Sequence, residues 1–104
     1  MKRFVPLILI GILLWATLGC QKTSSDPSAQ LAAGKTIFQD NCVLCHGADG
    51  KQIPAWRSKV QKMSDEQIKN LIVNGGGTMP PFKDKLTPQQ IDEVTAYAKH
   101  LASS

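Results

Sequence analysis

The stretch "CVLCHG", residues 42–47, constrains this chain more than any other feature, because it sets two thiols and an imidazole (Cys42, Cys45 and His46) within five consecutive positions. Three occupants suit such a cluster: a zinc ion, a reversible disulfide or a haem. A structural zinc site needs four ligands, and here the count fails. Cys45 and His46 are adjacent, the only other histidine is His100, and there is no second cysteine pair. A redox disulfide of the thioredoxin kind opens a helix after a strand. This pair instead follows a helical pattern. The haem reading needs thiols at i and i+3 to add across two vinyl groups, and a histidine next in sequence to coordinate iron. C-x-x-C-H meets that requirement.

Export is the second requirement, since haem of this kind is attached outside the cytoplasm. Lys2 and Arg3 are followed by "FVPLILIGILLWATLG", residues 4–19, which contains no charge. A basic start and an apolar run of this size predict a signal peptide. A spanning helix needs about 20 apolar residues, and Pro6 further weakens an anchor reading. The segment "TLGCQK" resembles a bacterial lipoprotein signal, in which the cysteine becomes the lipidated first residue. Gly19 fits, whereas Thr17 stands where an aliphatic residue is usual. The resemblance implies cleavage before Cys20 and a lipid on its sulfur. It also gives the third cysteine a task, since a free exposed thiol is a liability in an oxidising compartment. Residues 1–19 are therefore expected to be signal and residues 20–30 a lipidated tether, leaving residues 31–104 as one domain. Ten flexible residues span about 17 Å on average.

Charge excludes one class of partner. Without Lys2 and Arg3, ten basic side chains face eight acidic ones, a net charge of +2. That is no nucleic-acid footprint. Lys51, Arg57, Lys59 and Lys62 nevertheless occur with no acid among them. Such a run is commonly a solvated face. As a functional surface it would dock an acidic redox protein by long-range attraction.

Three helices are predicted. The first covers about 29–41, with Leu31, Phe38 and Cys42 at helical spacing. The second starts at "MSDEQIKNLIV", where Ser64 and Gln67 form a capping box, Met63 and Ile68 a staple, and Gly75 the stop. In the third, "LTPQQIDEVTAYAKHL", Thr87 and Gln90 repeat the box and Leu86 staples to Ile91. No stretch alternates like a strand. Three short helices bury little, so a chain of this size needs a staple, which a covalent haem supplies.

The far face of the iron needs a ligand as well. Met1 lies in the signal and Met63 is used by its staple. Met79 remains, in "NGGGTMPPF", 33 residues beyond His46. Glycines let backbone approach a flat ring and prolines fix the chain after it. With His46 it completes the Met/His pair of electron-transfer haems.

Together, "AAGKTIFQDNCVLCHGADGK", "GGGTMPPF" and "EVTAYAKHL" resemble the class I c-type cytochromes, small single-haem electron carriers, over nearly all of residues 31–102. The resemblance implies an all-α cytochrome c fold around one covalent haem c, in which Gly34 and Phe38 of the first helix cross Tyr97 of the last. It implies a Pro54 carbonyl accepting the N–H of His46. For Trp56 it suggests plain core packing, against the alternatives of covering haem or bonding a propionate. Arg57 is a weaker propionate candidate. The function expected is a membrane-tethered single-electron carrier, not an enzyme, with redox proteins as partners and no small-molecule substrate. The alternatives are a dedicated subunit of an oxidase or reductase, or a haem peroxidase or gas sensor, for which no distal histidine or arginine is identifiable.

Overall fold

The computed structural model describes residues 26–104. Five helices make up the described chain: α1 (Pro27–Asn41), α2 (Val43–His46), α3 (Trp56–Lys62), α4 (Asp65–Asn74) and α5 (Pro88–Ser103). The only extended pairing among the described residues is an isolated bridge between Gly76 and Met79. The fold is all-α.

Helix α1 begins inside the segment expected as tether. The Asp26 carboxylate accepts the Ser28 N–H at 3.0 Å, and Pro27 occupies the first turn, where its missing N–H costs nothing. Residues 27–30 are thus helical. Both predicted capping boxes form. Ser64 Oγ accepts the Gln67 N–H at 3.2 Å while Gln67 Oε1 accepts the Ser64 N–H at 2.8 Å. Thr87 and Gln90 do the same at 3.2 and 2.9 Å.

Helices α2 and α3 were not predicted. Helix α2 is one turn, ended by Gly47 at φ 78°. Helix α3, "WRSKVQK", buries only Val60 and has no side-chain cap. Its start is Ala55 at φ 60°, the one non-glycine residue with a left-handed backbone among those described. That conformation costs an L-residue about 1–2 kcal/mol, more than the entropy penalty of glycine. Ala55→Gly is therefore expected to stabilise the protein by about 0.5–1 kcal/mol. An increased urea midpoint at unchanged m-value is the result that checks it.

Packing centres on α5. Helix α1 crosses it at Gly34, where an added Cβ would overlap the Glu93 carbonyl and come within 2.8 Å of Tyr97 Cβ. One turn on, Phe38 is 2 % exposed and meets the Tyr97 ring edge-on at 5.4 Å between centroids. Ile91, Val94 and Ala98 present the buried stripe of α5, and Ile68 and Ile72 that of α4. Lys69–Asp92 at 2.9 Å and Lys99–Asp65 at 3.0 Å tie α4 to α5. Exposed pairs of this kind contribute little energy, and their effect is mainly on register. No helix among the described residues is long and apolar enough to cross a membrane.

Candidate functional site

The end of α1 and the single turn of α2 place the two thiols and the imidazole. The Cys42 N–H donates to Phe38 O at 2.8 Å, and the Cys45 and His46 N–H groups both donate to Cys42 O, at 3.2 and 2.9 Å. Spacing i, i+3 on one turn brings Cys42 and Cys45 to the same side. Both are free thiols, Cys42 half-buried and Cys45 exposed. Burial, and then the neighbouring Cys45, pushes the Cys42 thiol up to about 11, so it rests protonated. Leu44, between them, is 89 % exposed.

His46 is half-buried. Burial lowers its pKa, which keeps the imidazole in the neutral form that donates a lone pair to a metal. Its Nδ1 is buried with no hydrogen-bond partner. The expected bond from this histidine to the Pro54 carbonyl is therefore not made. The backbone there is taken up in a turn, Trp56 N–H to Ile53 O at 3.2 Å, followed by the left-handed Ala55. That path sets the Trp56 ring against the imidazole, 5.1 Å between centroids, and leaves Pro54 exposed. Trp56 also contacts Phe38 at 6.0 Å and lies over Gly50, where φ is 71° and a Cβ would strike the indole. It therefore packs in the core and lines the site as well.

Met79 arrives on a strap between α4 and α5. The Met79 N–H donates to Gly76 O at 2.9 Å and the Gly76 N–H donates to Met79 O at 3.1 Å, closing a tight turn with Gly77 at φ 58°. Gly75, at φ 71°, lies so close to the returning chain that a Cβ would sit 2.9 Å from Pro81 N. The strap is then fastened to α4 through Phe82 N–H to Ile72 O at 2.9 Å. Phe82 itself is buried, at 6 % exposure.

Two cavities, of about 360 and 330 Å³, open between these parts, and Cys42, His46, Ile53, Thr78 and Met79 line both. Each volume lies in the range of small-ligand sites. The larger runs inward to Phe38 and Val94, and the smaller outward to Leu44, Cys45 and Pro80. A neutral imidazole with an unpartnered buried nitrogen, a thioether sulfur and two thiols on one apolar cleft fit a flat iron-bearing ring tied at one edge. Ile53 and Thr78 escaped the sequence reading. Their only signal is position: Ile53 is the one branched aliphatic side chain between Gly47 and Ala55, and Thr78 precedes Met79.

The family model described as cytochrome C oxidase, cbb3-type, subunit III matches residues 29–97. A cytochrome c6 of Nostoc sp. is 36% identical over 93% of this chain and 91% of its own length. The chain is a class I c-type cytochrome. A second cytochrome c6, from Thermostichus vulcanus, is 31% identical to it over 92% of the chain and 88% of that protein. The FixP subunit of a cbb3-type cytochrome c oxidase of Sinorhizobium medicae is 32% identical over 71% of the chain, which spans only 31% of FixP. The cytochrome carries one covalently bound haem c with its iron. It serves electron transfer to redox protein partners outside the cytoplasm, and it is not an enzyme.

Within the basic run, Arg57 is engaged by the end of α5. Arg57 Nη2 donates to Leu101 O at 2.8 Å and to the Ser104 carbonyl, and Gln61 Nε2 donates to the Ala102 carbonyl. Both side chains cap the last carbonyls of α5, where a cation also meets the negative end of the helix dipole. Arg57 is thus removed from the docking set, and its contacts are with α5 carbonyls. Lys59 lines the larger cavity, and Lys51 and Lys62 are exposed.

Proposed function

We propose that this cytochrome carries single electrons between respiratory or photosynthetic proteins, held at a membrane surface by lipid on Cys20. In this reading Cys42 and Cys45 would hold the haem through thioether bonds, and His46 and Met79 would supply the ligands to its iron. The group, when bound, supplies one-electron chemistry at its iron. The observation that carries the reading is that His46 and Met79, from chain segments 33 residues apart, border both cavities. Met63 also reaches the larger cavity but not the smaller one. The strap's backbone bonds to α4 anchor the chain just after Met79, and Phe38, Val60 and Ile68 give the larger cavity an apolar wall. A fixed ligand set of this kind leaves no open position for substrate. Methionine ligation favours a high potential.

Leu44 and Ile53 are exposed at 89 % and 38 % beside the thiols, and they mark the edge at which a partner would dock. Exposed Lys51 and Lys62 would add long-range attraction for an acidic partner, and the association rate should then fall as salt screens them. The extents of signal, tether and domain belong to the same proposal, and Cys20 lies outside the described residues. Intact mass of the mature protein tests it. The expected value contains residues 20–104, one haem and a lipid. Cys20→Ser should move the cytochrome from the membrane to the soluble fraction. If the variant stays with the membrane, the lipid reading fails.

The match to a cbb3-type subunit III and to FixP favours a second reading, a fixed subunit of an oxidase. Co-purification in constant stoichiometry after detergent extraction would select it over a mobile carrier.

A further inference from the structure

Among the side chains that line the larger cavity only Cys42, His46 and Lys59 are titratable, Lys59 is the one ordinary cation among them, and the rest of the wall is apolar apart from Thr78 and the Trp56 ring edge. The smaller cavity differs. It is bordered by Asp40 and Lys85, and Lys85 Nζ lies 5.6 Å from the centre of the Phe82 ring. The two ends of the cleft therefore carry different charge: an acid and a base at the outer end, and one unopposed base at the α3 end.

The covalent chemistry of the site orients its occupant. The vinyl groups of a haem lie on one side of the ring and its two propionate carboxylates on the other. Cys45 borders only the smaller cavity, and Cys42 borders both. A ring tied to these sulfurs would direct its carboxylates away from Cys45 and into the larger cavity, where α3 contributes Trp56, Lys59 and Val60 to the wall. A carboxylate entering an apolar cleft needs a cation or water to offset lost hydration. Lys59 is exposed and also borders this cavity, as suits a lysine that keeps its ammonium in water. Arg57, two residues earlier, is held by the α5 carbonyls. Lys62, on the same helix, does not line either cavity.

We propose that Lys59 is a positioning residue that pairs with a haem propionate at the α3 mouth of the cleft and raises the reduction potential. This rests on the haem reading above. A fixed positive charge beside the ring disfavours the oxidised, more positive iron, and it holds the propionate ionised to lower pH.

The test uses the holoprotein and its Lys59→Gln, Lys59→Arg and Lys62→Gln variants, each checked for haem content and for the methionine signature in the spectrum. Spectroelectrochemical titration against pH then reads the potential. Lys59→Gln should shift the redox equilibrium towards the oxidised form by up to about tenfold, equivalent to about 59 mV for one electron. Its potential should also begin to change at higher pH than that of the unsubstituted protein, because the propionate has lost its partner. Lys59→Arg should restore both values, and Lys62→Gln should leave both unchanged. Equal shifts for Lys59→Gln and Lys62→Gln would reduce the effect to general surface charge and overturn the pairing. So would an unmoved pH profile in Lys59→Gln. A protein that carries no haem at all would instead refute the reading of the site, so the two failures are distinguishable.

Discussion

Gly34→Val is expected to destabilise the holoprotein by about 3 kcal/mol, the upper end of the cost of overpacking. The groups an added carbon meets are not flexible tips. They are the Glu93 carbonyl and, at 2.8 Å, the Tyr97 Cβ. Neither can swing aside, so α1 and α5 must separate. That separation also loosens Phe38, which is 2 % exposed and packs on both Tyr97 and Trp56. Gly34→Ala should move in the same direction by less, since alanine regains about 1 kcal/mol of helix propensity. Gly77→Ala is the control. Nothing lies within 4 Å of its added carbon, and only the positive φ of 58° opposes it, at about 1–2 kcal/mol. Urea unfolding followed by both helical and haem signals checks the series. A Gly34→Val variant as stable as Gly77→Ala would mean that the crossing is not tight.

The contrast between those glycines shows what a sequence discloses. Helices α4 and α5 were readable because each announces its start with a residue pair, Ser64 with Gln67 and Thr87 with Gln90, and each then repeats apolar residues at helical spacing. Helix α1 was readable in its body but not at its start. "SSDPSAQ" is as polar as a tether, and only the Asp-Pro pair signals a cap. Helix α3 carries neither signal. Its first residue follows a left-handed alanine, and its stability comes from outside, through Trp56 on His46 and through Arg57 and Gln61 on the end of α5. Such a helix is stabilised by tertiary contact, which no local pattern encodes.

The site shows the same division. The C-x-x-C-H spacing fixes Cys42, Cys45 and His46 on one turn because they are neighbours in the chain. Met79 was readable from the glycines and prolines around it, and these do form the turn and strap that carry it. Residues that depend on how two segments approach were not readable. Pro54 was expected to face the imidazole, and a turn ending in a strained residue puts Trp56 there instead. Arg57, Lys59 and Lys62 read as one basic run. On a short helix they point to three different surroundings: the α5 carbonyls, the cavity and solvent.

Met79→Ala is expected to leave the haem attached, because the proposed thioethers are at Cys42 and Cys45, while removing the sulfur-to-iron charge-transfer band and admitting carbon monoxide. The redox equilibrium should move by at least about tenfold, 59 mV or more, towards the oxidised form. Two methionines border the larger cavity, so the control is Met63→Ala. Met63 sits before the cap of α4 and packs on the core, and its loss should cost about 2 kcal/mol of stability while leaving the band intact. The two substitutions thus separate packing from ligation, since both remove a half-buried thioether and only one is predicted to change the spectrum. The strap should survive in Met79→Ala, because Phe82 N–H still bonds Ile72 O and the Phe82 ring stays buried. A band that persists in Met79→Ala and disappears in Met63→Ala would transfer the ligand to Met63, between α3 and α4, and leave the Gly75–Phe82 turn with a purely structural role. Persistence in both would require a ligand other than methionine.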